Sequence, residues 1–438
     1  MSNHEIRDPI HNFIRLEPGE IQVLDSAPFQ RLRHIHQLAL TYLLYPSATH
    51  RRFEHSLGVM ELASRVFDVV TDPDNIHHES VREIIPKNFD LEYWRRTLRM
   101  AALCHDLGHL PFSHAAESEL LPKGWDHERF TAELIRSDEM EQIWKKIKVS
   151  SEYVAKLAVG PKHYKERGFS DWEAILSEII VGDAFGADRM DYLLRDSHHI
   201  GVAYGRFDLY RLIDTLRILP KVDRAPEDEP GSQEPALGIE EGGLHSAEAL
   251  ILARYFMFSQ VYFHHVRRIY DIHLKDFLKR WLPDGMFTAS IEDLMQITDN
   301  EVISELSRAV RDKEHPGHDP ARRIARREHF RLLYQRTRAD LEINREAGEA
   351  VFQEACKQFG NSKVRHDYYM QKGGGSNFPV LARDGRIFSS LTKSETLEKV
   401  PLIAVDYVYI SLECRKRAEK WRDKNLTRII TSKEEEEK

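Results

Sequence analysis

Residues 104–114 read Cys-His-Asp-Leu-Gly-His-Leu-Pro-Phe-Ser-His, so three histidines and a carboxylate fall within eleven positions of an apolar stretch. The residues before it are good helix formers, and Pro111 disfavours helical geometry just ahead of itself. We therefore predict a buried helix that ends near Gly108 and places His105 and His109 on one face. Imidazole and carboxylate groups bind divalent transition metals, and burying them without partners is costly. The stretch predicts the floor of a metal-phosphate site.

The residues after the proline suit the start of another helix. Ser113 is a suitable N-cap, which would place His114 and Glu117 in the first turn, three residues apart. A carboxylate at that distance can orient an imidazole and favour its charged form. From this stretch alone, a packed helix with incidental histidines remains the alternative.

The composition is that of a globular protein of a reducing compartment. The chain has 438 residues and is 41% hydrophobic, and no apolar run reaches the length of a membrane span. The first residues lack the pattern of a signal peptide, so we expect a cytoplasmic protein that does not bind a membrane. The three cysteines are Cys104, Cys356 and Cys414, an odd number that argues against a disulfide framework or a zinc ribbon.

The net charge of -8 argues against wholesale electrostatic binding of nucleic acid. Nucleic acid is therefore not indicated as a partner, whereas a local basic pocket for a polyphosphate is compatible with an acidic protein. An anionic substrate has to be met by a few local cations.

The hydrophobic periodicity predicts a mainly α fold with small β-hairpins. We predict a core over residues 1–282 and an α+β C-terminal lobe over 283–438 that regulates or oligomerises the protein. The predicted elements are a hairpin or extended arm over 8–19, helices over 28–40, 175–197 (interrupted at Gly182 and Gly186) and 246–281, a β-hairpin with strands 216–219 and 236–239 and an acidic tip near 223–235, and a strand over 401–412.

Other candidate ligands are ambiguous when each is taken alone. His55 lies in the first turns of an amphipathic pattern, where a histidine is more often a hydrogen-bonded structural residue. His127 reads first as a surface histidine. Asp188, Asp191 (or Tyr192) and Asp196 share a helix face, a row that is usually solvated.

Taken together, however, His55, His105-Asp106 and Asp188 reproduce in order the His, His-Asp, Asp signature of the HD-domain phosphohydrolases. The stretches 30–33, 52–58, 105–114 and 188–201 also resemble the deoxynucleoside triphosphate (dNTP) triphosphohydrolases of that family. The resemblance covers residues 8–267 and fades beyond them. It implies an HD-domain helical bundle.

The resemblance implies a site residue by residue. Metal ligation falls to His55, His105, Asp106 and Asp188, with Mn, Mg, Fe or Zn as the ion. The matching substrate-binding positions, for the phosphates, the 3'-hydroxyl and the deoxyribose, are Gln37, Leu38, Arg52, Arg189, Tyr192, Asp196, Arg254 and Tyr262. Arg189 replaces a family lysine, which keeps the charge and changes the donor geometry.

The implied reaction is hydrolysis at the α-phosphorus of a dNTP to deoxynucleoside and inorganic triphosphate. His109, His114 and His127 would surround the scissile bond, and His114, poised by Glu117, would assist proton transfer.

The resemblance also implies a regulated homo-oligomer, often a tetramer, with a GTP or dNTP activator. The positions matching an activator site are Asp25, Gln30 and Arg33, with Arg211 a weaker match, whereas His4 and Glu5 depart from the pattern. Two alternatives stay open: an HD phosphohydrolase of another nucleotide, and a non-catalytic sensor of nucleotides or nucleic acid.

Overall fold

The computed structural model describes residues 4–87, 89–112, 117, 119–222, 234–370 and 377–431. Over these residues the protein is mainly α, as predicted. No helix in the described ranges combines the length and the apolar character that crossing a bilayer requires. The helices are α1 Pro18–Leu24, α2 Ala27–Arg31, α3 Arg52–Val70, α4 Glu79–Ile84, α5 Phe89–Cys104, α6 His127–Ile135, α7 Asp138–Ile147, α8 Ser151–His163, α9 Asp171–Val181, α10 Ala187–Ile200, α11 Leu209–Asp214, α12 Leu244–Met257, α13 His265–Trp281, α14 Ile291–Gln296, α15 Asp299–Arg311, α16 His318–Ala325, α17 Arg338–Ile343, α18 Ala347–Phe359, α19 Ser390–Lys393, α20 Glu395–Lys399 and α21 Arg415–Thr431.

Three small sheets accompany the helices. Their strands are β1 His4–Asp8, β2 Asn12–Leu16, β3 Leu216–Pro220, β4 Pro235–Glu240, β5 Arg331–Gln335, β6 Val364–Met370, β7 Pro379–Leu381, β8 Ile387–Ser389 and β9 Ala404–Ile410. Strands β1 and β2 form an antiparallel hairpin, the second sheet has the order β3-β4-β7-β8, and the third has the order β5-β9-β6. Only the β4-β7 pair among these is parallel. Both predicted hairpins are present, but the first spans residues 4–16 instead of the predicted 8–19, since a helix already begins at Pro18. Most of the acidic tip predicted for the second hairpin lies outside the described residues.

The chain divides into two compact units, each built from several segments. The first contains residues 1–257, 287–302 and 375–400, and the second contains 258–286, 303–374 and 401–438. The predicted division of the chain into a core over 1–282 and a regulatory or oligomerising lobe over 283–438 stays a prediction. In the second unit, α18 and α21 pack on the three-stranded sheet around a core that includes Leu333, Val351, Val408 and Ile429.

Helix α3 is the centre of the first unit. It is buried on most of its surface, and α5, α9 and α10 all pack against it. Gly58 permits the close approach of α10, because a Cβ atom at this position would collide with the carboxylate of Asp191 and crowd the guanidinium of Arg195. The residues of α3 and α10 that face each other are therefore held at a separation that only glycine allows.

Three predicted helices differ in extent from the observed ones. The helix predicted over 28–40 is only α2, because the chain then turns so that Arg52 N–H can donate to Ile35 O (3.0 Å) and Gln37 N–H to His50 O (3.0 Å). The central helix α5 ends at Cys104 rather than near Gly108. The helix predicted over 246–281 is divided into α12 and α13 by a π-helical turn over Phe258–Tyr262.

Candidate active site

Three parts of the first unit carry the predicted metal ligands. Helix α3 carries His55, the turn after α5 carries His105 and Asp106, and α10 carries Asp188. Since α5 and α10 both pack against α3, the three parts meet. The structure brings all four predicted ligands together.

The four side chains crowd a single small volume. Ligand atoms of His55, His105 and Asp188 lie within 4.8 Å of one another. Asp188 Oδ1 lies 3.0 Å from His55 Nε2 and 3.6 Å from His105 Nε2. Asp106 adds an oxygen 3.4 Å from His105 Nε2 and another 3.8 Å from His55 Nε2. Two imidazoles and two carboxylates form a donor set typical of a divalent metal.

The hydrogen bonds of the two histidines fit this role. His105 Nδ1 donates to the carbonyl of Ala102 (2.8 Å), which leaves the lone pair on Nε2. That Nε2 atom is buried and has no hydrogen-bond partner of good geometry among the described residues. His55 Nδ1 likewise bonds Asp191 Oδ2 (2.8 Å), so its Nε2 faces Asp188. An orphaned, buried lone pair between carboxylates is what a cation would satisfy, although the donors do not choose among Mn, Mg, Fe and Zn.

The electrostatics of the cluster favour a bound positive charge. Burial opposes protonation of His55, but its hydrogen bonds to Asp188 and Asp191 outweigh burial and raise its pKa to about 10. Burial also opposes ionisation of Asp188, yet the two histidines hold its pKa below the ordinary value. Because a metal and a proton compete for the same lone pair, the surplus of carboxylates that charges His55 also favours a metal.

Arg52 lies against the metal ligands. It is 4% exposed, and its guanidinium donates to Asp106 Oδ2 in a short contact. Burial opposes ionisation of Asp106, but the Arg52 charge leads the effects that keep its pKa well below the usual range. The position assigned to the α-phosphate by resemblance is thus a buried cation beside the candidate metal ligands.

Two more histidines stack next to Asp106. The rings of His109 and His127 lie 4.1 Å apart and nearly parallel, and His109 Nε2 lies 3.1 Å from Asp106 Oδ1. Burial, aided by Arg52 and His127, holds the pKa of His109 well below its ordinary value. Burial acts the same way on His127, but Glu117 outweighs it and raises the pKa of that imidazole. Neighbouring imidazoles are thereby biased toward opposite protonation states.

Glu117 is the carboxylate that holds His127. It accepts a hydrogen bond from His127 N–H (2.7 Å) and contacts His127 Nδ1. The predicted pairing of Glu117 with His114 lies outside the described residues. Gly108 brings the metal-binding turn close to this pair, because a Cβ atom there would collide with the backbone of His127 and of Thr131.

Behind the candidate ligands lies a layer of residues of which only Asp191 was singled out from the sequence, as part of an acidic helix face. Asp191 accepts from His55, from His11 Nε2 (2.6 Å) and from the guanidinium of Arg195 (2.8 and 3.0 Å). Asp8 in turn bonds Arg195 NH1 (2.8 Å) and the N–H of His11 (2.9 Å). The only available signals were the four-residue spacing of Asp191 and Arg195 and the polar residues of the N-terminal turn.

Two predicted phosphate-binding cations act on the charge of the same two neighbours. Burial raises the pKa of the Tyr192 phenol, and the charges of Arg189 and Arg254 act against that rise. Burial opposes ionisation of Asp183, but Lys162, Arg189 and Arg254 together lower its pKa. Arg189 NH2 lies 3.8 Å from Asp183 Oδ1, so this predicted cation has a carboxylate as its neighbour.

The two predicted 3'-hydroxyl contacts are linked through His50. Gln37 N–H donates to His50 O, and His50 Nε2 lies 2.8 Å from Asp196 Oδ1. The side-chain oxygen of Gln37 is buried and has no partner within the described ranges. Leu38 beside it is 7% exposed. His50 therefore joins the segment of Gln37 to Asp196.

Of the remaining predicted positions, the main activator candidates lie together and the others lie apart from them. Gln30 donates to Leu24 O (2.7 Å) next to Asp25, and Arg33 donates to Gln30 Oε1 (2.9 Å), so the main activator candidates adjoin one another. Arg211 is exposed and donates to Gly242 O (3.0 Å), and no described contact joins it to that group. Tyr262 belongs to the second unit.

Two regions of the chain match known protein families. Residues 52–181 match the HD domain, and residues 207–357 match the HD associated region. A hypothetical protein from Aquifex aeolicus, solved by crystallography, superposes with a TM-score of 0.75 and 31% identity over 96% of this chain and 99% of that one.

Curated relatives match over shorter stretches. An uncharacterized protein of Methanocaldococcus jannaschii is 35% identical over 301 residues, which cover 69% of this chain and 54% of the relative. The deoxynucleoside triphosphate triphosphohydrolase SAMHD1 of Gallus gallus is 29% identical over 368 residues, 74% of this chain and 55% of its own. The chain thus spans about half the length of these relatives. With its ligand cluster and both matched regions, the chain belongs to the HD-domain family, in the group that joins an HD domain to an HD-associated region.

Proposed function

We propose that this protein is a metal-dependent triphosphohydrolase that cleaves dNTPs at the α-phosphate into deoxynucleoside and inorganic triphosphate. The observation that carries the proposal is the buried, unpartnered His105 Nε2 between Asp106 and Asp188, with Arg52 beside it. Similarity to a deoxynucleoside triphosphate triphosphohydrolase supports the choice of substrate class.

His55, His105, Asp106 and Asp188 would hold the metal. When bound, a divalent ion supplies positive charge that polarises the phosphoryl group and assists ionisation of the attacking water. Asp191 fixes the tautomer of His55 through Nδ1, and Ala102 O does the same for His105. The chain's own contribution is a preset donor set that is buried except at Asp188, whose side chain is partly exposed.

Arg52 would bind a non-bridging oxygen of the α-phosphate and neutralise the charge that develops there. Its contact with Asp106 keeps its guanidinium at the site before substrate arrives. By resemblance, Arg189 and Arg254 would bind the distal phosphates. Three arginines are a reasonable match for a triphosphate, given an otherwise acidic chain.

Proton transfer would fall to the histidines that the resemblance places around the scissile bond. By resemblance, His114 poised by Glu117 delivers a proton to the leaving 5'-oxygen of the deoxynucleoside. His109 and His127 would contact the same region through their stacked rings. Leaving-group protonation is needed because an alkoxide is a poor leaving group at neutral pH.

Sugar selection would come from Tyr192, Gln37 and Asp196. Tyr192 would occupy the space that a 2'-hydroxyl needs, and the unpartnered Gln37 oxygen would accept from the 3'-hydroxyl. Both sugars carry the 3'-hydroxyl, so the separation of deoxyribose from ribose would come from the space that Tyr192 denies to a 2'-hydroxyl. By the same resemblance we propose a homo-oligomer, with tetramer the favoured state, activated by GTP or a dNTP at Asp25, Gln30 and Arg33.

The test is incubation of purified protein with Mn or Mg and each dNTP or NTP, with and without GTP, followed by chromatography of the products. Deoxynucleoside plus triphosphate from dNTPs alone supports the proposal, and His105→Ala should abolish it. Monophosphate plus pyrophosphate, or equal use of NTPs, would identify an HD phosphohydrolase of another nucleotide. Absence of turnover in every mixture would favour a sensor.

A further inference from the structure

A buried carboxylate far along the chain reaches the turn that carries the site. Asp299, the first residue of α15, is completely buried. Its Oδ1 accepts from Phe112 N–H (2.7 Å), and its Oδ2 accepts from His36 N–H (2.8 Å) and bonds His36 Nδ1 (2.6 Å). Both oxygens are therefore committed to residues that flank the site.

A buried arginine holds the other end of the same turn. Arg31 NH1 donates to the carbonyl of His109 (2.8 Å), while its Nε and NH2 donate to Ile297 O (3.2 and 2.9 Å). Residues 297–299 and Arg31 thus bind the segment 109–112 at its first carbonyl and its last amide. The contacts of Arg31 and of Asp299 with this segment are together called the loop clamp below.

The backbone of the segment needs such support. Phe112 has φ of 55°, in the left-handed region that an aromatic residue rarely adopts. A conformation of this kind persists only where neighbouring contacts hold it in place. The bond from Phe112 N–H to Asp299 is such a contact, and it sets where the chain leaves His109.

Asp299 also binds a second segment next to substrate-binding candidates. Its partner His36 forms a β-bridge with Arg51. The residues that follow these two in the sequence, Gln37 and Arg52, are the candidates. One carboxylate is therefore shared between the segment that follows the metal ligands and the segment that precedes Gln37.

We propose that Arg31 and Asp299 are positioning residues, which hold the segment 109–112 and His36 in the arrangement the reaction requires. The proposal rests on the proposed hydrolase function for its kinetic readout. Both residues act through the placement of His109, Phe112 and His36 rather than by contact with the substrate.

The experiment compares Asp299→Asn, Arg31→Lys and the double variant with the wild type. Asparagine keeps the shape but has one acceptor oxygen, so it cannot serve both Phe112 and His36. Asp293→Asn is the matched control, since Asp293 lies in the same segment, is exposed and bonds Thr288. Hydrogen exchange of the peptide that contains Phe112 is measured together with metal content, kcat and KM per folded chain.

We expect exchange at Phe112 to speed up about tenfold in Asp299→Asn and kcat to fall about tenfold or more, with metal content unchanged. The kcat of the double variant should lie within about threefold of the kcat of the worse single variant, because both changes release the same segment. Asp293→Asn should match the wild type in every readout.

A purely structural role would lower the melting temperature while leaving kcat per folded chain and Phe112 exchange unchanged, and that result overturns the proposal. Independent, multiplicative losses in the double variant also overturn it. If Asp299→Asn does not fold, Arg31→Lys alone decides through the same readouts. If the wild type hydrolyses no dNTP, the proposed function fails, while the exchange measurement still tests the clamp.

Discussion

Replacing Gly58 by alanine tests the packing that supports the metal centre. A Cβ atom at this position would overlap the Asp191 carboxylate and lie 2.5 Å from Arg195 NH2. Asp191 would have to move, and it is the residue that holds Nδ1 of His55. We therefore expect Gly58→Ala to destabilise the protein and to weaken metal binding at the same time.

The magnitude follows from two opposing contributions. Alanine in a helix interior is favoured over glycine by about 1 kcal/mol. Breaking a fully buried pair such as Asp191 with Arg195 costs about 3–5 kcal/mol, since it leaves an uncompensated charge. The net expected loss in the free energy of unfolding is thus about 2–4 kcal/mol.

Urea unfolding of the metal-free protein measures the stability, and titration with Mn measures the affinity. Gly168→Ala is the control, because nothing lies within 4 Å of a Cβ atom at Gly168. That variant should be neutral or slightly more stable. Gly58→Ala as stable as the wild type, with unchanged Mn affinity, would refute the reasoning.

Three further changes have expected outcomes. Burial raises the pKa of Glu178 to about 7 from an ordinary 4.5, so the free energy of unfolding should fall as the pH rises through that window. In urea unfolding, Glu178→Gln should stabilise the protein by about 1–3 kcal/mol at pH 8 and not at all at pH 4. An equal gain at both pH values would contradict this. Tyr192→Ala should cut the preference for dNTP over NTP, as the ratio of kcat/KM, by about tenfold, and an unchanged ratio would remove Tyr192 from sugar selection. Divalent metal at about 100 times its Kd should stabilise the wild type by about 2.7 kcal/mol, and this gain should vanish in His105→Ala, whereas a gain that survives there would place the metal elsewhere.

The sequence predicted the meeting of the four candidate ligands better than it predicted their surroundings. His55 and Asp188 are separated by 133 positions yet bond each other, and only the ordered motif with its flanks pointed to their meeting. The break between α9 and α10 was indicated by Gly182 and Gly186, because glycine punctuates helical patterns.

Local patterns failed where distant contacts decide the backbone. The stretch 28–40 has helical spacing, but its later residues form hydrogen bonds with His50 and Arg52 instead, which outweigh weak helix propensity. Asp299 was not foreseen, since its partners Phe112 and His36 lie 187 and 263 positions away. A single sequence carries no signal for such pairs.

The bond between His11 and Asp191 also bears on the order of events during synthesis. Its two residues are 180 positions apart, and Asp299 follows after another hundred or so. Chains emerge from the ribosome at about 5–20 residues per second. The predicted ligands His55, His105 and Asp106 therefore emerge several seconds before Asp188 and Asp191 do. The complete donor set proposed for the metal can form only after α10 has left the ribosome.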